Sequence, residues 1–278
     1  MTGSRGQLGR ALERAAADAG HDFIGVDLPD VDITDASAVD EAVTSLRPAV
    51  IVNCAAFTAV DLAEEREPAA LRVNGEAVGV LARASHRVGA TLVQLSTDYV
   101  FDGLAGRPYR EEDPVNPRSA YGRTKLAGEL AAQSAYRHLV IRTAWLFGEG
   151  ANFVRAILRQ IEDGARQLRV VNDQHGSPTC ADDLAVALLG LLHVEAEGVV
   201  HAVNDGAATW WGLAREIVAA TGADVEVVPV TTSEMPRPAR RPAYSVLSCA
   251  RLAALLGRPL QPWQDALGRY IASGRARG

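Results

Sequence analysis

The chain has 278 residues, a length that suits one large α/β domain or a cofactor lobe with a smaller companion. Hydrophobic residues make up 48%, which excludes a disordered chain, and a net charge of −6 speaks against a nucleic-acid binder, whose surface would be basic. Cys54, Cys180 and Cys249 form no CxxC pair and the six histidines no HExxH, so neither a disulfide framework nor a zinc site is expected; with no signal pattern and no apolar run of membrane-spanning length, the expected location is the cytoplasm, with no membrane partner.

The first element is a glycine loop, Gly3-Ser4-Arg5-Gly6-Gln7-Leu8-Gly9, opening a helix. Such a loop normally follows a strand, yet only Met1 and Thr2 precede it, so the first strand is expected to be largely missing, through a start set a few residues late or a truncation. Strands are then predicted at Asp22–Asp27, Ala49–Cys54, Thr91–Ser96 and Leu139–Thr143, with helices at Ser37–Leu46, Ala69–Val88 and Ala120–Ala135 between them. Alternating strands and helices predict an α/β fold, a Rossmann-like doubly wound parallel sheet with helices on both faces. Strands near 168–172 and 199–204 are expected to return to that sheet. The last third carries Pro236, Pro238, Pro242, Pro259 and Pro262, with short helices around Trp211–Thr221 and Ala250–Leu256. It predicts a smaller C-terminal substrate-binding lobe, so the division expected is 1–146 for the dinucleotide-binding domain and 147–278 mainly for the lobe.

Glycines at 3, 6 and 9 allow a tight turn and let backbone amides at Gly3, Gly6, Gln7 and Leu8 approach a pyrophosphate, with the helix offering its positive end to the anion. An ordinary glycine-rich turn reads the same way in isolation. Asp27 ends the second predicted strand and can accept hydrogen bonds from an adenine ribose, which favours NAD(H). Arg5 can pair with a 2′-phosphate, which favours NADP(H), and the two cues conflict. Asp32 and Ile33 are placed against the adenine, although Asp32 also reads as a helix-start acid. Small residues after the third predicted strand, Asn53-Cys54-Ala55-Ala56, let the backbone lie close to a cofactor.

The sharpest signal is Tyr121-Gly122-Arg123-Thr124-Lys125, which puts Tyr121 and Lys125 on one helix face, one turn apart. A nearby ammonium is expected to lower the tyrosine pKa, so that the phenol protonates the alkoxide formed as hydride reaches a ketone. Lys125 is the only lysine, the other 27 basic residues being arginine. A lysine placed at random would fall four residues after one of the six tyrosines with a probability of roughly 2%, which weighs against a chance surface pair. Thr97, with Ser96 as second choice, ends the fourth predicted strand and supplies a hydroxyl for the substrate carbonyl.

Together these segments resemble the extended short-chain dehydrogenase/reductase family, in particular its dTDP-4-dehydrorhamnose reductase branch. The glycine loop and Tyr121/Lys125 carry the superfamily likeness. Ser96-Thr97-Asp98-Tyr99-Val100-Phe101-Asp102-Gly103, Arg142-Thr143-Ala144-Trp145 and the Arg241-Pro242-Ala243-Tyr244-Ser245 region carry the branch. The resemblance implies NADP(H)-dependent (NAD(H) remaining open) reduction of the 4-keto group of a dTDP-sugar. It assigns Thr97, Tyr121 and Lys125 to the chemistry; Asn53, Ala55, Ala56, Thr58 and Ser96 to the cofactor cleft; and Asp98, Tyr99, Trp145, Arg241 and Ser245 to the substrate. Some members hold Mg²⁺ between subunits through glutamates, one of them where this chain has Ala11, so no metal is expected and a homodimer is left open. A 4-ketoreductase for another dTDP-deoxysugar, a non-catalytic NADP-binding regulatory subunit and an inactive truncated copy remain as alternatives.

Overall fold

The computed structural model describes residues 1–276. Its centre is a parallel sheet of three long-range neighbours, β1 (Val50–Asn53), β2 (Thr91–Thr97) and β3 (Arg137–Thr143), continued past β3 by the strand Gly198–His201. β2 and β3 are nearly continuous runs of buried side chains, as expected of parallel strands covered on both faces. On one face, the helix Gln7–Asp18 (α1) and the helix Ala181–His193 bury Leu8, Leu12, Leu184 and Leu188 against Val93, Leu139 and Ile141. On the other, the helices Ala36–Leu46 (α2) and Ala77–Val88 bury Val39, Val43, Val78 and Leu81 against Ile51, Leu92 and Val140.

Beyond β1 the sheet continues as single bridges. Thr2 pairs in parallel with Asn53 on one side and Val26 on the other. Its amide donates to Val52 O at 3.0 Å, its carbonyl accepts from the Cys54 amide at 3.1 Å, and Val26 N reaches Met1 O at 2.8 Å. The strand predicted at Asp22–Asp27 is therefore reduced to one bridging residue. Only Met1 and Thr2 lie alongside it, so most of its backbone has no ladder partner, and Ile24 stands 52% exposed.

A second correction concerns the strand near 168–172. Gln167–Val171 does not join the main sheet but pairs in parallel, residue for residue, with Glu226–Val230. Its inward residues Leu168 and Val170 pack into a separate core with Ile157, Leu213, Ile217 and Tyr270, which the C-terminal segments close over. Gly198–His201, by contrast, lies beside β3.

Candidate active site

The carboxyl ends of these strands and the glycine loop enclose a cleft of about 910 Å³. Open parallel sheets hold ligands where successive strands depart to opposite sides, and here that point is Thr2, flanked by Val26 and Asn53. Gly3 has φ +69°, and a Cβ there would lie 2.5 Å from the Ala55 amide nitrogen. A Cβ at Gly9 would lie 2.4 Å from the Ser4 carbonyl oxygen. The loop thus packs backbone against backbone. Gly6 caps α1 without a side-chain hydrogen bond, leaving the first-turn amides at the cleft free for an anion. This cradle fits a dinucleotide pyrophosphate.

At the far end of the cleft Asp27 accepts from the Arg5 amide at 2.9 Å, while the Arg5 guanidinium reaches Leu28 O at 2.7 Å and Asp30 at 3.3 Å. Asp32 lies on the rim and uses one oxygen on the Thr34 amide and hydroxyl, hydrogen bonds that hold its pKa below the usual range. Ile33, Ala55, Ala56 and Thr58 also line the cleft.

Asn53 and Ser245 lie outside the cleft lining. Asn53 is buried, accepting from Thr2 Oγ1 at 2.6 Å and donating to Gln94 at 2.7 Å, so its side chain ties strands together. Ser245 is buried behind Asp98. Ser96 touches the cleft, but its hydroxyl donates to Glu129, because adjacent residues in a strand face opposite ways.

The three candidate catalytic residues meet where β2 ends. Thr97 Oγ1 accepts from the Tyr99 amide at 3.2 Å and lies 3.0 Å from Asp98 Oδ1. Tyr121 sits in the first turn of the helix Ala120–Ala132, which Ser119 caps by accepting from the Gly122 amide. A Cβ at Gly122 would lie 2.3 Å from Tyr99 O, so glycine lets this helix start tight against the Tyr99 turn. The rings of Tyr99 and Tyr121 meet edge to face at 5.6 Å, and the Thr97 hydroxyl lies close enough to Tyr121 to favour its ionised form. One turn on, Lys125 is 3% exposed and donates to Leu95 O at 2.6 Å.

The electrostatics differ from the expectation for the tyrosine. Burial pushes Tyr121 up to about 12, the Asp98 charge adds to this, and the Thr97 hydroxyl opposes it. The phenol is thus held protonated, the form needed to donate a proton to a reduced carbonyl. Burial lowers Lys125 to about 8, partly offset by Glu129 and Cys54. Burial raises Asp98 to about 6 against hydrogen bonds from Ser245, Thr97 and Tyr99.

Two supports escaped the sequence reading. The helical stretch from Glu67 to Val88 contains a π turn at Arg72–Glu76, where Asn74 accepts from the Phe57 amide at 2.8 Å and donates to Phe57 O and Thr124 Oγ1. It joins the loop after β1 to the tyrosine helix. A buried asparagine within Leu71-Arg72-Val73-Asn74-Gly75 was its only trace. The other is the pair Trp210 and Phe153, which extends the predicted Trp145 into an aromatic wall. Trp145, in a left-handed backbone conformation (φ +45°), stacks on Trp210 at 3.5 Å between centroids, and Phe153 packs on Trp210 at 4.7 Å; all three line the cleft. Opposite them Arg241 pairs with Asp61 at 2.9 Å, while its Nη1 is buried and without a partner. A buried guanidinium nitrogen with no acceptor at a cleft wall suits an anionic ligand. Among the described residues no three His, Cys, Asp or Glu side chains are placed to hold a metal ion, and no helix is long and apolar enough to cross a membrane.

Residues 1–276 match the family described as the RmlD substrate binding domain. The chain belongs to this family. It is 46% identical to a dTDP-4-dehydrorhamnose reductase of Streptomyces griseus, over 96% of this chain and 90% of that protein. It is equally, 46%, identical to a probable dTDP-4,6-dihydroxy-2-methyloxan-3-one 4-ketoreductase of Streptomyces antibioticus, over 96% and 92%. The crystal structure of a dTDP-4-dehydrorhamnose reductase from Bacillus anthracis in complex with NADP superposes with a TM-score of 0.94 at 36% identity, covering 98% and 97% of the two chains. The RmlD match takes in the glycine loop, the Thr97–Tyr121–Lys125 cluster and the C-terminal wall alike.

Proposed function

We propose that the chain is a cytoplasmic NADPH-dependent reductase that converts the 4-keto group of dTDP-4-dehydro-β-L-rhamnose to the alcohol of dTDP-L-rhamnose. The observation that carries this reading is the meeting of Thr97, Tyr121 and Lys125 in one cleft with the glycine loop. Bound NADPH supplies the hydride. Tyr121 gives its phenolic proton to the carbonyl oxygen as negative charge develops there, and Thr97 orients that oxygen by hydrogen bonding. Lys125 stabilises the phenolate left behind and, lining the cleft, would hold the ribose of the cofactor. Trp145 offers an apolar face to the sugar and Arg241 holds the substrate pyrophosphate.

Two predictions test the two ends of the cleft. The Arg5–Asp30 pair is well exposed, 61% and 68%, and so weakly held that a 2′-phosphate readily takes its place. Arg5→Ala is expected to raise the Kd for NADPH about 10-fold and leave that for NADH nearly unchanged, as read by nucleotide fluorescence titration. Arg241→Met is expected to raise KM for the nucleotide sugar about 10- to 100-fold with the NADPH Kd unaltered. Equal weakening of both ligands would mean that Arg241 holds the lobe together.

The reading as a whole is tested by NADPH oxidation with dTDP-4-keto-6-deoxyglucose and a 3,5-epimerase, with the product identified by NMR. dTDP-L-rhamnose is the expected product. The equal likeness to the Streptomyces antibioticus 4-ketoreductase favours one second reading, reduction of another dTDP-deoxysugar, which turnover of a different 4-keto sugar or inverted C4 stereochemistry would establish.

A further inference from the structure

The indole of Trp145 is hemmed in by its own main chain and by two neighbours. Its backbone is left-handed, φ +45°, a conformation that a bulky residue adopts only where its surroundings enforce it. Its carbonyl accepts from the Thr179 amide at 3.2 Å, and the next two residues, Leu146–Phe147, pair in parallel with Thr179–Cys180. Trp210 lies flat against one face of the ring, 8° from parallel, with centroids 3.5 Å apart. Gly176 meets the edge that carries the nitrogen. A Cβ on Gly176 would lie 2.3 Å from Trp145 Cε2, 2.5 Å from Nε1 and 2.6 Å from Cζ2. Carbon atoms in contact sit about 3.5–4.0 Å apart, so a methyl group there and the indole in its present place exclude one another.

The backbone of Gly176 does not itself demand glycine, since its φ is not among the positive ones. Nor can its strand retreat to make room. His175–Gly176 pairs antiparallel with Ala208–Thr209 on one side. On the other, the His175 amide donates to Ala243 O at 2.8 Å and the His175 carbonyl accepts from the Ser245 amide at 2.7 Å. Thr209 also caps the helix Trp210–Thr221, its hydroxyl accepting from the Gly212 amide at 3.0 Å, so the strand facing Gly176 fixes where Trp210 begins. Trp145 and Trp210 line the cleft; Gly176 stands behind them.

We infer that Gly176 is a positioning residue for the sugar: its missing side chain lets the Trp145 indole lie back against this strand, stacked on Trp210, and so sets the width of the cleft where the deoxysugar binds. The inference rests on the ketone-reductase reading above. With Trp210 against one face and the main chain held, a displaced ring yields into the space that both indoles line. Gly176 touches no substrate and acts through Trp145 alone.

Gly176→Ala is therefore expected to displace the indole by about 1 Å or more. kcat/KM for the nucleotide sugar should fall about 10- to 100-fold, the cost of misplacing a substrate by that much, while the Kd for NADPH changes by less than about twofold. Trp145→Ala removes the ring that the methyl group meets. Adding Gly176→Ala to it should cost less than about twofold more, because residues that act as one unit are not additive. Losses that multiply in the double variant overturn the inference and leave Gly176 as a support of the strand pair, and full activity in Gly176→Ala overturns it as well. If Gly176→Ala alone does not fold, folding restored by Trp145→Ala supports the inference, and a double variant that stays unfolded overturns it. A readout without turnover is fluorine NMR of protein carrying 5-fluorotryptophan, its four resonances assigned by replacing each tryptophan in turn. In Gly176→Ala the Trp145 and Trp210 resonances should both move while that of the buried Trp263 stays; unless both move, the inference fails. If wild type reduces no 4-keto sugar, the reductase reading has failed, and the NMR comparison still decides the displacement on its own.

Discussion

Tyr121→Phe is expected to lower kcat for NADPH-dependent ketone reduction by about 10²- to 10⁴-fold, the range of a lost general acid, while the Kd for NADPH changes by less than about twofold. Removing one hydroxyl leaves the ring, and with it the edge-to-face contact to Tyr99. The helix cap at Ser119 and the close fit of Gly122 against Tyr99 O do not involve the hydroxyl. Folding and cofactor binding therefore survive, and only proton donation is lost. The check is steady-state kinetics beside a fluorescence titration of NADPH. A variant that keeps more than about a tenth of wild-type kcat would show that another group, or water, donates the proton.

What could be read from the sequence was local. The four-residue spacing of Tyr121 and Lys125 is one helical turn wherever that helix packs, so the pair was visible at once. The glycines at 3 and 9 announce close backbone approach, and both would clash with any side chain. Alternating strands and helices likewise specified the parallel sheet, and the RmlD family and its structural relatives share it. What failed was non-local. Apolar periodicity says that Gln167–Val171 is a strand but not which strand it pairs with, and it chose Glu226–Val230. Asn53 stands beside a cofactor motif, yet its side chain turns to Thr2 and Gln94. The tyrosine pKa followed from burial and from the charge of Asp98, whose effect on Tyr121 the sequence reading did not consider. Glu129 and Arg142 went unnoticed as a pair because they are 13 residues apart, on a helix and a strand that meet only in the fold.

That pair underlies the other large effect. Arg142 and Glu129 form a two-pronged ion pair at 2.9 and 2.8 Å with side chains 5% and 3% exposed, and Ser96 donates to the same carboxylate. It joins the tyrosine helix to β2 and β3 directly behind Thr97 and Lys125. Removing one partner strands a buried charge, so Glu129→Leu is expected to cost about 3–5 kcal/mol of stability and to lower Tm by roughly 10 °C. Glu129→Leu/Arg142→Met, apolar on both sides, should recover most of that, because a buried pair contributes little net stability over well-packed hydrophobes. Thermal and urea denaturation check both, and a double variant no more stable than the single one would refute the stranded-charge account. The double variant then isolates an electrostatic role. Burial depresses Lys125 to about 8 and the Glu129 charge opposes that, so neutralising Glu129 depresses it further. On the proposed mechanism the lysine stabilises the phenolate only while charged, so activity is expected to fall as pH rises through its pKa. In the double variant the alkaline limb of the kcat profile should therefore move below that of wild type, with the protein still folded. An unmoved limb would mean that the pair clamps β2 and β3 to the helix without setting the charge on Lys125.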